Sequence, residues 1–467
     1  WVLRRHLELL TYAGVDFIAV DLSNGTVYPK PIKLIMKLIE EYRSEGFDCP
    51  QITFFTHVDS KGVVEQLYSE IYKKNWCPKS WWTPYSDGKP YMIAYPDPDT
   101  EGAVTGSGVK RGAYSKEIAE FFHFRAPQWP DEEFVPEAFP WIDWGRYEQK
   151  DHKGVISVSP ASGWGAPMSH ALSWAGIFRT KIRGRGWNGR TNDKSGVAQG
   201  LFYASQWDYA VENDPEIVFI DGFNEWIAIK LILDGRVGFV DTADEEFSRD
   251  IEPPKGDGYQ DAFYLQLCDN IRRFKGIKGD MPKPALKSLP LAPDPAAWEG
   301  CAVYATAALG LARSWAGVGQ NLRYEQPAPR NKIKSVRAAN SKNSVQFLIE
   351  CENALQECAS ADFMNLYIGC GTPSLKGWES YSFAASPCEN ALYSLDEKGA
   401  RSRIGDIQSE IRDNCITLTV SLADIGAPAE GIYFKVTDGF NGTDIMDTYS
   451  QGSCLPMGRL SLWYPLG

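Results

Sequence analysis

The sequence predicts an α/β fold: a (β/α)8 TIM barrel, truncated at its N-terminus, followed by an all-β sandwich. Over roughly the first 280 residues, short apolar runs alternate with helical segments, which implies a parallel sheet. Seven such runs are legible, ending near Asp21, His57, Tyr95, Arg125, Ser159, Glu225 and Asp241. Most end in a polar or ionisable residue. A doubly wound sheet gathers its strand ends at one switch point only. A barrel gathers all of them at one mouth. Later in the chain the texture changes to short alternating runs split by turn residues, the pattern of an antiparallel sandwich.

The elements follow in order. Leu3 to Ala13 reads as a helix closed by Gly14. Phe17 to Asp21 is an apolar strand, followed by Ser23-Asn24-Gly25. Ile32 to Gly46 is a helix with Pro31 near its start. Gln51 to Phe55 is a strand that runs into Thr56-His57, and Gly62 to Lys74 is a helix. Lys89 to Tyr95 is a strand, Tyr114 to Ala119 a helix, and Phe121 to Arg125 a strand. A Pro/Trp-rich loop with Trp129, Trp141 and Trp144 comes next, then a strand from Gly154 to Ser159. Phe202 to Glu212 is a helix that Asp214-Pro215 cannot continue. Ile217 to Ile220 is too short for a buried helix and reads as a strand covered on both faces. Val237 to Asp241 is a further strand, and Gly258 to Phe274 a closing helix. With seven strands in view, the barrel's first strand is expected upstream of Trp1, so the start reads as trimmed.

The 467 residues suit two domains. The barrel is placed at 1–280, a Pro-rich linker at 281–296 and the sandwich at 297–467. The sandwich strands include Val345 to Ile349, Asn365 to Ile368, Ile416 to Val420 and Ile432 to Val436. A net charge of −12 argues against nucleic acid, whose phosphates need a basic face. No apolar run is long enough to span a bilayer, so no membrane partner is expected. The ten Cys show no C-x-x-C pair and no zinc spacing, and free buried thiols are expected. No metal and no cofactor are expected. The sequence leaves oligomeric state open, and leaves open whether the chain is secreted or cytoplasmic.

The chemistry is expected around Asn224-Glu225-Trp226. A carboxylate just past a barrel strand sits at the mouth, and an aromatic neighbour offers a face to a sugar ring. The 16 Trp suit a carbohydrate ligand. Cleaving a glycosidic bond needs one group to protonate the leaving oxygen and another to stabilise or trap the cationic centre. Glu225 is the acid/base candidate, with Asp21 and Asp241 as catalytic partners. Substrate contacts are expected from Asn24, His57, Arg125, Trp164, Asn224, Trp226, Arg249, Asp250 and Glu252. For His57 a sugar-hydroxyl contact is preferred to catalysis. Asp250 and Glu252 carry an alternative, pairing with Arg249. The basic run from Arg179 to Arg190 reads either as recognition of an anionic sugar or as a solvated loop or one that balances nearby acids. No G-x-S-x-G and no phosphate-cradling loop is present.

Gly222 to Trp226, "GFNEW", resembles the W-N-E-W motif of family 99-like glycoside hydrolases, a group that includes domains of polysaccharide biosynthesis. Phe54 to His57, Ile156 to Pro160, Ser248 to Pro253 and Asn270 to Gly276 resemble bacterial members of that group. The C-terminal part is similar to family 9 carbohydrate-binding modules. The resemblance implies a (β/α)8 barrel and hydrolysis of an oligo- or polysaccharide, a mannan in family 99 proper. There the motif reads N-E-W-x-E and both Glu act in a retaining mechanism. The first matches Glu225 and the second matches Ala228, which departs from the pattern. Either another carboxylate serves (Asp21, Asp241, Asp250 or Glu252) or the activity differs. The alternatives are a non-catalytic glycan-binding protein and a glycan-biosynthesis enzyme.

Overall fold

The computed structural model describes residues 1–97, 112–130, 132–143, 148–162, 183–225, 227–233, 236–242, 245–254, 258–276, 282–307, 312–316, 321–356, 358, 360–371, 377–440 and 444–467. For 227–242 it describes the backbone alone. The chain divides into two units. One is Leu9–Ile277; the other combines Trp1–Glu8 with Lys278–Gly467.

In the unit Leu9–Ile277, β1 (Phe17–Leu22), β2 (Gln51–Thr56), β3 (Tyr91–Ile93) and β4 (His123–Arg125) form a parallel sheet in that order. After Ala126 the chain resumes as β5 (Pro127–Gln128), parallel to β6 (Phe139–Pro140). β7 (Val155–Val158) and β8 (Ile217–Ile220) form another parallel pair. The Ser157 hydroxyl, on β7, donates to the Pro140 carbonyl at 3.4 Å. β6, only two residues long, lies inside the stretch expected to be an irregular loop.

β2 is buried from Ile52 to Thr56, as a strand covered on both faces must be. Its two threonines are tolerated because their hydroxyls donate to β3 carbonyls: Thr53 to Tyr91 at 2.7 Å, Thr56 to Ile93 at 3.1 Å. Helices Pro29–Ser44, Ser60–Glu70, Lys116–Phe121, Leu201–Asn213 and Ala262–Lys275 alternate with the strands. Helix Leu201–Asn213 stops where expected, with Asp214 left-handed at φ 44° before Pro215.

Residues from six strands meet in one apolar cluster. Phe55, Tyr91, Ile93, Phe139, Val155 and Trp82 form its buried part, and Phe17, Ala19, Ile217 and Phe219 pack against it. In-register pairs of a parallel ladder share a face. Asp21 pairs with Phe55, Phe55 with Ile93, and Ile93 with Arg125, so Asp21 and Arg125 lie on the clustered face.

One expected strand is corrected. Val237 to Asp241 belongs to β10 (Arg236–Thr242), which pairs antiparallel with β9 (Ile227–Leu233). This is a hairpin and not a further parallel strand. Asp241 therefore does not close a parallel strand; its backbone sits in register with Ala228.

The other unit is a large, sandwich-like array of antiparallel strands. The first sheet holds β11 (Ala302–Ala305), β14 (Ile333–Asn340), β15 (Ser344–Cys351), β21 (Cys415–Ser421) and β20 (Gln408–Arg412). β12 (Arg313–Ala316) and β13 (Arg323–Gln326) form a separate hairpin. The second sheet runs β19 (Arg401–Asp406), β18 (Ala391–Leu395), β17 (Phe383–Ser386), β16 (Asn365–Cys370), β22 (Gly431–Asp438) and β23 (Ser453–Leu455); β24 (Leu462–Pro465) also pairs with β22. The sheets meet through Phe347 and Tyr304, whose rings lie 5.0 and 5.3 Å from Phe434. The Pro-rich stretch expected to be a linker is packed onto this unit. Lys287 N donates to the Asn340 carbonyl, and Ala285 and Leu289 join the Trp298 cluster.

Candidate functional site

The loop after β8 turns on Gly222, whose φ of +102° suits glycine alone. A side chain there would also meet the Arg249 carbonyl 2.5 Å away. This close approach lays the β8 exit loop against Ser248–Glu252. Ile251 N and Glu252 N both donate to the Phe223 carbonyl, at 3.0 and 2.8 Å. Asn224 Nδ2 donates to Glu252 Oε2 at 3.1 Å. Glu225 N donates to Asp250 Oδ1, while Ser248 Oγ donates to Asp250 Oδ2 at 3.0 Å.

Arg249 is the centre of this arrangement. Its Nη1 is 3.0 Å from Asp221 Oδ2, and its Nη2 is 3.7 Å from Glu225 Oε2. Asp221 directly follows β8 and is buried, whereas the Glu225 side chain is 48 % exposed. A guanidinium this close favours the carboxylate form of Glu225 over the carboxylic acid. The basic run has a structural part here. Arg185 donates to the Ser248 carbonyl at 2.8 Å and to the Asp250 carbonyl at 2.5 Å, and it lies 4.0 Å over the Phe263 ring. Arg185 thus braces the main chain of Ser248–Asp250; Arg179 and Lys181 lie outside the described residues.

The structure thus brings together Asn224, Glu225, Arg249, Asp250 and Glu252. The ion pairs of Arg249 go to Asp221 and Glu225, not to its two acidic neighbours in sequence. Asp21 and His57 share no hydrogen bond or ion pair with Glu225. Asp21 accepts Ser23 N at 2.8 Å. Asn24 folds on its own loop, accepting Thr26 N and donating to the Tyr28 hydroxyl. Arg125 donates to the carbonyls of Glu137 (3.0 Å), Ala138 (3.3 Å) and His152, all of which precede β6 or β7. It therefore serves the starts of those strands, away from the ends where substrate contacts were expected. Trp164, Trp226 and the Asp241 side chain lie outside the described residues.

His57, just past β2, forms a second polar centre. Its ring stacks on Trp129 at 4.8 Å and 24°, and Tyr95 lies 6.2 Å away. Its Nε2 is 3.1 Å from Glu132 Oε1, and Glu132 Oε2 accepts Trp129 N at 3.0 Å. Burial would raise the Glu132 carboxyl, but the hydrogen bonds from His57 and Trp129 and the charge of His57 outweigh it and hold it below its ordinary range.

Sequence reasoning assigned no role to Asp221 or Glu132. Asp221 carried a usable signal, an acid directly after an apolar strand, as Asp21 ends its own. Glu132 had none, because it sits in the acidic run Asp131-Glu132-Glu133 of a loop. Trp378 and Tyr381, in the sandwich-like unit, are both buried. Cys358 and Cys388 are disulfide-bonded, against the expectation of free thiols. The other eight cysteines form no disulfide among the described residues. Among the described residues no His, Cys, Asp and Glu group is arranged to hold a metal ion, and no helix is long and apolar enough to cross a membrane. No protein-family model matches the chain, and no curated protein matches it.

Proposed function

We infer that the protein is a glycoside hydrolase acting on an oligo- or polysaccharide, of the family 99-like kind that the GFNEW stretch resembles. The observation that carries this reading is the half-exposed Glu225 carboxylate, held beside Arg249 just past a parallel strand. An anion so placed suits a base, a nucleophile or a group that stabilises a cationic sugar. Asn224 and Glu252, hydrogen-bonded to each other nearby, suit sugar hydroxyls.

The unit Leu9–Ile277 is then a (β/α) barrel. The convergence of β1, β2, β3, β6, β7 and β8 side chains on one cluster supports this, because inward-facing residues of a barrel fill a common interior. The second carboxylate is Asp241. Its register opposite Ala228, the position that lacks the family's second Glu, supports that assignment.

The test is a panel of glycans assayed for released reducing sugar, beside nucleotide-sugar turnover. Release is the expected result. Turnover of a nucleotide sugar, or binding of glycan without release, would replace the hydrolase by a biosynthetic enzyme or a glycan-binding protein.

A further inference from the structure

We propose that His57 is a proton or hydrogen-bond acceptor for a substrate hydroxyl through its Nδ1, and that Glu132 is the positioning residue that makes it so. Glu132 is held below its ordinary range and is therefore ionised near neutrality, when a carboxylate can only accept. Across the 3.1 Å contact the hydrogen must then belong to His57 Nε2. In the neutral form of His57 this hydrogen is the only one on the ring, so that form leaves the Nδ1 lone pair available. Nδ1 makes no hydrogen bond to a described residue.

The ring is also fixed in place. It stacks on Trp129, and Glu132 is tied to the same residue through Trp129 N, so base, orienting acid and aromatic wall form one piece. The His57 side chain is 12 % exposed, enough for contact at one edge. Taking a proton at Nδ1 from the attacking hydroxyl gives an imidazolium, whose charge Glu132 stabilises through Nε2–H; the hydroxyl oxygen bonds to the anomeric carbon as the glycosidic C–O bond breaks, and the departing oxygen takes up a proton from water. A sugar hydroxyl or an attacking water fits this step. The kinetic consequence rests on the hydrolase reading; the tautomer does not.

The closing experiment therefore has two arms on the full chain. Ring 15N–1H correlations of labelled protein, above the pH range of imidazole protonation, report the tautomer, with His57 signals identified by their loss in His57→Gln. The Nε2–H form is expected in the wild type, with a mixture of both forms in Glu132→Ala. The Nδ1–H form in the wild type, or an unchanged tautomer in folded Glu132→Ala, overturns the proposal. On a glycan that the wild type cleaves, His57→Gln should lose kcat by about 10²-fold. Glu132→Ala should lose about tenfold, each with little change in KM, and wild-type kcat in either variant overturns the role. A protein that cleaves no glycan refutes the hydrolase reading alone, since the spectra are recorded without one.

Discussion

Arg249 Nη1 lies 3.0 Å from Asp221 Oδ2, and each side chain is 6 % exposed. Removing one partner of a buried ion pair costs up to about 3–5 kcal/mol, and less where the remaining charge keeps a second partner, as Arg249 keeps Glu225. Asp221→Asn should lower unfolding stability by up to that much in urea titration. Asp221→Asn combined with Arg249→Met should recover part of it, because no buried charge is then stranded. A double variant less stable than the single one would show that Arg249 is held mainly by other partners.

Glu225→Gln should behave differently. Its side chain is half exposed, so stability should change by about 1 kcal/mol or less. Turnover should fall by about 10²-fold or more while glycan binding persists. Near-normal turnover would remove Glu225 from the reaction.

Gly222→Ala probes the link between those two residues. An alanine at φ +102° is strained and meets the Arg249 carbonyl. The expected cost is about 1–3 kcal/mol in urea, with a loss of turnover because the Glu225 loop must shift. Full activity at reduced stability would separate the turn from the site.

Glu132 sets a pH dependence. Its folded carboxyl is depressed below the ordinary value of 4.5. A depressed carboxyl contributes stability that is present above the unfolded value and is lost as pH falls through the folded one. The stability gap between wild type and Glu132→Gln should therefore be present above the carboxylate range and close on acidification below about 4.5. Urea midpoints along a pH series measure it. A gap that widens in acid would reverse the sign.

The fold was legible where burial leaves a local mark. The run at Gln51 is buried almost throughout, those at Phe17 and Ile217 are partly covered, and all three are dominated by apolar residues; Gly14 and Asp214-Pro215 punctuate the helices. The run Val237 to Asp241 looks the same in sequence, but an apolar β-branched run does not encode the direction of its partner, and here the partner is Ile227–Leu233. Two-residue β6 carries too few side chains for any period to show. In the site, Glu225 stood out because of its neighbours. The roles of Asp221 and Glu132 depend on Arg249 and His57, 28 and 75 residues away in the chain, and no local pattern reports such partners.

Every residue of β22 is buried, and β16, β23 and β24 all hydrogen-bond to it. The middle of the larger sandwich sheet is thus supplied by a strand that a ribosome would release only after β16 to β21. Chains emerge at about 5–20 residues per second, so β16 to β19 wait through the synthesis of β20 and β21 with the β22 side of β16 unpaired. That side is an open strand edge, the kind on which nascent chains associate with one another. A stop codon placed before Gly431 would make the waiting permanent, and its product should collect in inclusion bodies.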